Sequence, residues 1–99
     1  MLRLAKKLYS VFTDDLYTCY LTKSNLTHRH HIFGASNKKR SEKYGFIVPL
    51  HPRLHNASNE GVHFNKELND KFKKMAQEYY EEHYGTREDF IKEFKKSYL

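Results

Sequence analysis

The stretch His28-Arg29-His30-His31-Ile32-Phe33-Gly34 reads as a β-strand, with enough alternation for one and a glycine to end it. A second short apolar run, Phe46-Ile47-Val48-Pro49-Leu50, reads as another strand, and Pro49 near its end marks an edge or a strand exit. The chain then passes through a connection, His51 to Gly61, that contains Pro52, Asn56, Ser58, Asn59 and Gly61. Beyond it Val62, Phe64, Leu68, Phe72, Met75, Ala76, Tyr79 and Tyr80 recur at intervals of 3 and 4, one face of a long helix. Two strands feeding a helix are the nucleus of the expected fold.

Working outward, Leu16 to Leu21 is rich in β-formers and predicts an additional N-terminal strand, with a turn at Lys23-Ser24-Asn25. Residues 2–12 suggest a short helix or an ordered arm. Ala35 to Lys43 is polar and basic, a loop or a helical turn. Gly85 suits the end of the long helix. Thr86 can cap a last helix at about 86–98, whose stripe is Phe90, Ile91, Phe94 and Tyr98. Helical spacing assigns these aromatics to core packing. The expected class is α+β, in one domain over residues 1–99 with its core at about 16–82.

A chain of 99 residues fits one domain with a small core. Its 4 glycines and 2 prolines exclude collagen and a Pro/Gly-rich disordered chain. No apolar run approaches the ~18 residues of a membrane span, and no signal-peptide pattern is visible. The single Cys19 cannot form an internal disulfide. These features together suggest a cytoplasmic, reduced setting.

The net charge of +6 is unevenly spread: residues 1–58 carry +7 and residues 59–99 carry −1. Concentrated positive charge attracts polyanions, nucleic acid among them. Histidine is the sharper anomaly. Of 7, six fall between His28 and His63: His28, His30, His31, His51, His55 and His63. Imidazole is the commonest metal ligand and the commonest general base. His30 and His31 point to opposite faces of a flat strand, yet can serve one site at a strand end. A ββα unit can bring His55 and His63 to the same place. Three imidazoles on one divalent cation leave positions open for water and substrate, a catalytic geometry. His28 and His51 read as exposed or minor, and His83 as a surface residue near a helix end.

The run Arg29-His30-His31-Ile32-Phe33-Gly34-Ala35, then Lys39 to Gly45, Val48-Pro49-Leu50, His55-Asn56 and Gly61-Val62-His63-Phe64-Asn65, resembles the HNH (ββα-metal, His-Me finger) nucleases. It is most similar to a phage and prophage subgroup related to the recombination-enhancement, RecA-dependent nuclease of a phage. The resemblance implies a ββα-metal core with an extra N-terminal strand and C-terminal helices. It implies His31 as general base, and His30, His55 and His63 as ligands of one divalent ion, Zn, Mg, Mn or Ni. It further implies phosphate contacts from Arg29, Lys38, Lys39 and Arg40, with Asn56 and Asn65 orienting groups by hydrogen bonds. Many relatives carry two Cys-x-x-Cys knuckles on a structural zinc. Here Thr22 stands three residues after Cys19, and His51 and Leu54 replace the second knuckle, so a complete zinc site is not expected. No Asn stands at Gly45 or Phe46, where the family's middle Asn falls.

The implied activity is metal-dependent hydrolysis of DNA phosphodiester bonds with weak sequence specificity. DNA is the implied partner, with a recombination or packaging protein as a second candidate and a monomer or homodimer as the assembly. Two other classes compete: an HNH-like module that binds nucleic acid or regulates a phage process without cutting, and a small zinc-stabilised interaction domain.

Overall fold

The structure, a computed structural model, describes residues 8–55 and 65–99. It is a small mixed α+β protein. In chain order come β1 (His28–His31), a 3-10 turn at Ala35–Asn37, α1 (Lys38–Tyr44), β2 (Ile47–Leu50), α2 (Pro52–His55), α3 (Lys66–His83) and α4 (Arg87–Phe94). β1 and β2 form a two-stranded antiparallel sheet, with His28 opposite Leu50, Arg29 opposite Pro49, His30 opposite Val48 and His31 opposite Ile47. The pairing continues one step past β1, where the Ile32 N–H donates to the Phe46 carbonyl at 2.9 Å.

Local chemistry sets the helix ends. Asn65 caps α3 by accepting the Leu68 N–H at 3.1 Å. Its side-chain oxygen is thus engaged as a helix cap. Thr86 and Asp89 form a reciprocal capping box on α4, which satisfies two donors at its N-terminus. α1 stops at Gly45, whose φ of 72° lies in the left-handed region. A side chain there would also collide with Tyr9, because a Cβ would stand 2.5 Å from its ring.

The core lies between the sheet and the α3–α4 pair. Phe33 is its hub: its ring centroid is 4.5 Å from Phe94, 5.7 Å from Phe90 and 6.1 Å from Phe46. Phe72, Ala76 and Tyr80 of α3 and Phe90 and Phe94 of α4 are buried in it, as their helical spacing requires. β2 is buried along its whole length. Ser41 links α1 to the strand exit. Its hydroxyl donates to the Phe33 carbonyl at 2.7 Å and accepts the Phe33 N–H at 2.9 Å, with no exposure to solvent.

Several expectations need correction. Residues 16–21 form turns, not a strand. Asp15 starts them, accepting the Tyr17 N–H at 2.9 Å and the Thr18 hydroxyl at 2.6 Å. Tyr20 makes a backbone hydrogen bond to the sheet, donating its N–H to the Pro49 carbonyl at 2.8 Å. Pro49 has no N–H to return, so the β2 edge cannot complete a third ladder. The extra N-terminal strand is therefore absent. Of the two forms expected for the basic segment after Gly34, it takes the helical one, first as a 3-10 turn and then as α1. α4 ends at Phe94, where Lys95 takes a positive φ of 81°, short of the expected 98. Residues 8–12 are not helical, and the rest of the N-terminal expectation lies outside the described residues, as does any part of α3 before Asn65. Among the described residues, no helix is long and apolar enough to cross a membrane.

Candidate functional site

β1 presents alternate residues to opposite faces. His28 and His30 share one face with α2. His28 Nδ1 stands 3.2 Å from His55 Nδ1, and the His30 and His55 ring centroids are 5.2 Å apart. His30 is buried, and its ring also packs against Phe72 of α3. α2 begins at Pro52 directly after β2, and its last residue, His55, folds back over β1. Two of the three expected ligands, His30 and His55, are thus brought together. The third, His63, lies outside the described residues, as does Asn56. His28 joins the cluster instead. The signal for it was present, since residue i and residue i+2 of a strand share a face.

The His28 and His55 ring nitrogens are in hydrogen-bond contact, at a separation that two ligands of one cation would also have. Two nitrogens on a tetrahedral cation with bonds of about 2.0–2.1 Å stand about 3.3 Å apart. The 3.2 Å between His28 and His55 is close to that separation. Among the described residues, no group of three or more His, Cys, Asp or Glu side chains forms a ready-made cation site.

The other face of β1 carries Arg29 and His31. His31 Nε2 lies 3.1 Å from Glu42 Oε1 on α1. Glu42 was not singled out from the sequence, though it is the one carboxylate between Asp15 and Glu60. The pair fixes the ring: Glu42 accepts from Nε2–H, so that in the neutral imidazole the lone pair is on Nδ1. Arg29 and His31 line a cavity of about 370 Å³ together with Leu8, Leu16, Tyr17 and Thr27. The Arg29 guanidinium lies over the exposed Tyr17 ring, 5.2 Å from its centroid. Lys38 and Lys39 are exposed on α1, and Arg40 donates to Asn37 Oδ1 at 3.2 Å. These basic residues therefore share a helix with Glu42, the partner of His31.

His30 and His31 also meet at the end of the strand. Both line a groove with Ile32, Gly34, Ala35, Asn69 and Lys73. The adjacent pair thus serves one groove although its rings leave the sheet on different sides.

Cys19 and His51 are adjacent but differently engaged. The buried Cys19 sulfur accepts the Thr22 N–H at 3.4 Å and the His51 N–H at 3.2 Å. The thiol pKa is lowered: burial opposes ionisation, and the bonds from Thr22 and His51 outweigh it. His51 Nδ1 accepts the Arg53 N–H at 3.2 Å. Compared with known proteins, the chain matches no family model, no curated protein and no solved structure.

Proposed function

We propose that the protein is a metal-dependent endonuclease of the ββα-metal, His-Me finger kind, phage-encoded, that hydrolyses DNA phosphodiester bonds with weak sequence specificity. The observation that carries this reading is the division of labour on β1. His28 and His30 gather with His55 on one face, while His31, paired with Glu42, shares the strand-end groove with His30. In this reading β1, β2 and α3 are the ββα-metal core.

His28 and His55 would supply two nitrogens to the divalent ion, with His30 and His63 as the further candidates. Bound there, the ion supplies charge neutralisation at the phosphate and the leaving oxygen. His31 accepts a proton from water at Nδ1 as the water oxygen attacks phosphorus and the 3′ oxygen leaves. Glu42 keeps the ring turned and stabilises the imidazolium that forms. Arg29, Lys38, Lys39 and Arg40 contact backbone phosphates, which position the strand without reading its sequence.

A second reading, a nucleic-acid-binding regulator that does not cut, draws on the lack of a three-ligand group among the described residues. A plasmid-nicking assay separates the two. Wild type, H31A and H30A are compared in Mg²⁺, Mn²⁺, Ni²⁺, Zn²⁺ and EDTA, with DNA binding measured alongside. Cutting that needs metal and vanishes in H31A while DNA binding survives is the expected result. Binding with no cutting under any cation overturns the enzyme in favour of the regulator.

A further inference from the structure

The groove at the end of β1 has a wall that the reading above does not use. It encloses about 340 Å³, and α3 contributes Asn69 and Lys73, one helical turn apart on the same face. The opposite wall is the strand end and its turn: His30, His31, Ile32, Gly34 and Ala35. Gly34 leaves open space there, with nothing within 4 Å of where a Cβ would stand. Ala35 takes a left-handed φ of 49°, a conformation that costs an alanine energy and holds the turn against the groove.

Lys73 is the unusual member. Its side chain is partly buried, and its ammonium sits over the Tyr98 ring, 5.1 Å from the centroid. Lys96 occupies the same ring at 4.9 Å, so one aromatic carries two ammonium groups. Tyr98 is itself pinned, its N–H donating to Gln77 Oε1 at 2.6 Å. Among the described residues no carboxylate pairs with Lys73; the nearby Asp70 is bound by Lys66 at 2.6 Å. Burial, and then Lys96 and Lys66, hold the Lys73 pKa below the usual lysine range despite Asp70. A partly desolvated ammonium without an ion-pair partner among the described residues, on the helix that walls this groove, is a place for an anion.

We infer that this groove is a phosphate-binding subsite in which Lys73 supplies the countercharge and Asn69 an amide donor, holding a phosphate group against His30 and His31. The inference rests on the nucleic-acid part of the proposed function and not on hydrolysis. The phosphate comes from a polynucleotide backbone or from a free phosphate, and the two sources are separable.

The test runs in EDTA, so that cutting plays no part. Anisotropy of labelled 12-mer DNA is recorded across salt for wild type, K73M, K73R and K74M. Methionine keeps the apolar stem of Lys73 in place, and Lys74 is an exposed neighbour of equal charge. Amide shifts of Gly34 and Ala35 are followed as inorganic phosphate is added. K73M is expected to weaken binding several-fold and to flatten the slope of log K against log salt by about one, with K73R near wild type and K74M retaining the wild-type slope. If K73M and K74M behave alike, the charge is diffuse and the subsite falls. Phosphate shifts at Gly34 and Ala35 that K73M abolishes support the subsite with free phosphate as a source. DNA-induced shifts alone support it with the backbone as the source, and no shift with either ligand overturns it. A protein that binds phosphate in this Lys73-dependent way but neither binds nor cuts DNA keeps the subsite and loses the nuclease.

Discussion

Replacing Ser41 by alanine removes one oxygen and two hydrogen bonds from the junction that holds β1 to α1. The Phe33 N–H and carbonyl are bracketed by the Ser41 hydroxyl at 2.9 and 2.7 Å. Ser41 is 0% exposed and Phe33 2%, so water does not replace the lost partner without opening the core. A buried backbone group left without a partner costs about 1–3 kcal/mol. Two such groups put the loss at about 3 kcal/mol, and the volume removed is too small for a large cavity penalty. For a domain of this size each kcal/mol moves Tm by roughly 4–8 °C, so S41A is expected to melt roughly 12–24 °C below wild type. Urea unfolding followed by circular dichroism measures the difference directly, and an unchanged slope would confirm that only stability moved. S36A, on the exposed turn before α1, is the control and should stay within about 0.5 kcal/mol of wild type. A loss below about 1 kcal/mol for S41A would refute the argument, because it would mean that Phe33 finds other partners. Glu42 is the next residue on α1, so S41A should also loosen the His31–Glu42 pair.

Three further outcomes are expected. H28A should weaken Co²⁺ binding, read from its visible absorbance, as severely as H55A, whereas H51A should leave it near wild type; equal effects of all three would place the ion elsewhere. Burial, and then Glu93, push the Tyr80 hydroxyl up to about 12, and the same causes raise Tyr44. In the unfolded chain a tyrosine ionises near its ordinary value of about 10, so stability is intact below that pH. It should fall as pH rises from there toward the folded value, seen by denaturation alongside tyrosinate absorbance; a flat profile to pH 12 would contradict the burial of Tyr80. T86A should cost about 1 kcal/mol through the lost cap on α4, measurable by thermal melting, and T86S should recover most of it.

The sheet strands, α3 and α4 were legible in the sequence because each buries a face whose period the residues display. The segment 16–21 was misread for a reason that periodicity cannot show. Its β-formers face an edge where Pro49 lacks a donor, and Asp15 offers the backbone a competing turn. The site was legible by halves. His30 and His31 stand out as an adjacent pair, and His55 follows from the short step between β2 and α2. Glu42 was hidden inside a run of basic residues that read equally as a loop or a helical turn. Its spacing to His31 matters only once Gly45 ends α1 and β2 returns beside β1.

Pro49 also bears on how the protein behaves in a crowded solution. A short sheet with an unsatisfied border can zip onto the same border of a neighbouring molecule. β2 is buried along its length, yet its border toward residues 16–21 is held by a backbone bond from Tyr20 to Pro49. When that segment lifts away, the proline ring leaves an incoming strand without a reciprocal donor, and propagation stalls after one contact. P49V would restore the donor and turn a self-limiting border into a template for fibrillar growth, visible as concentration-dependent thioflavin fluorescence that the native sequence does not develop.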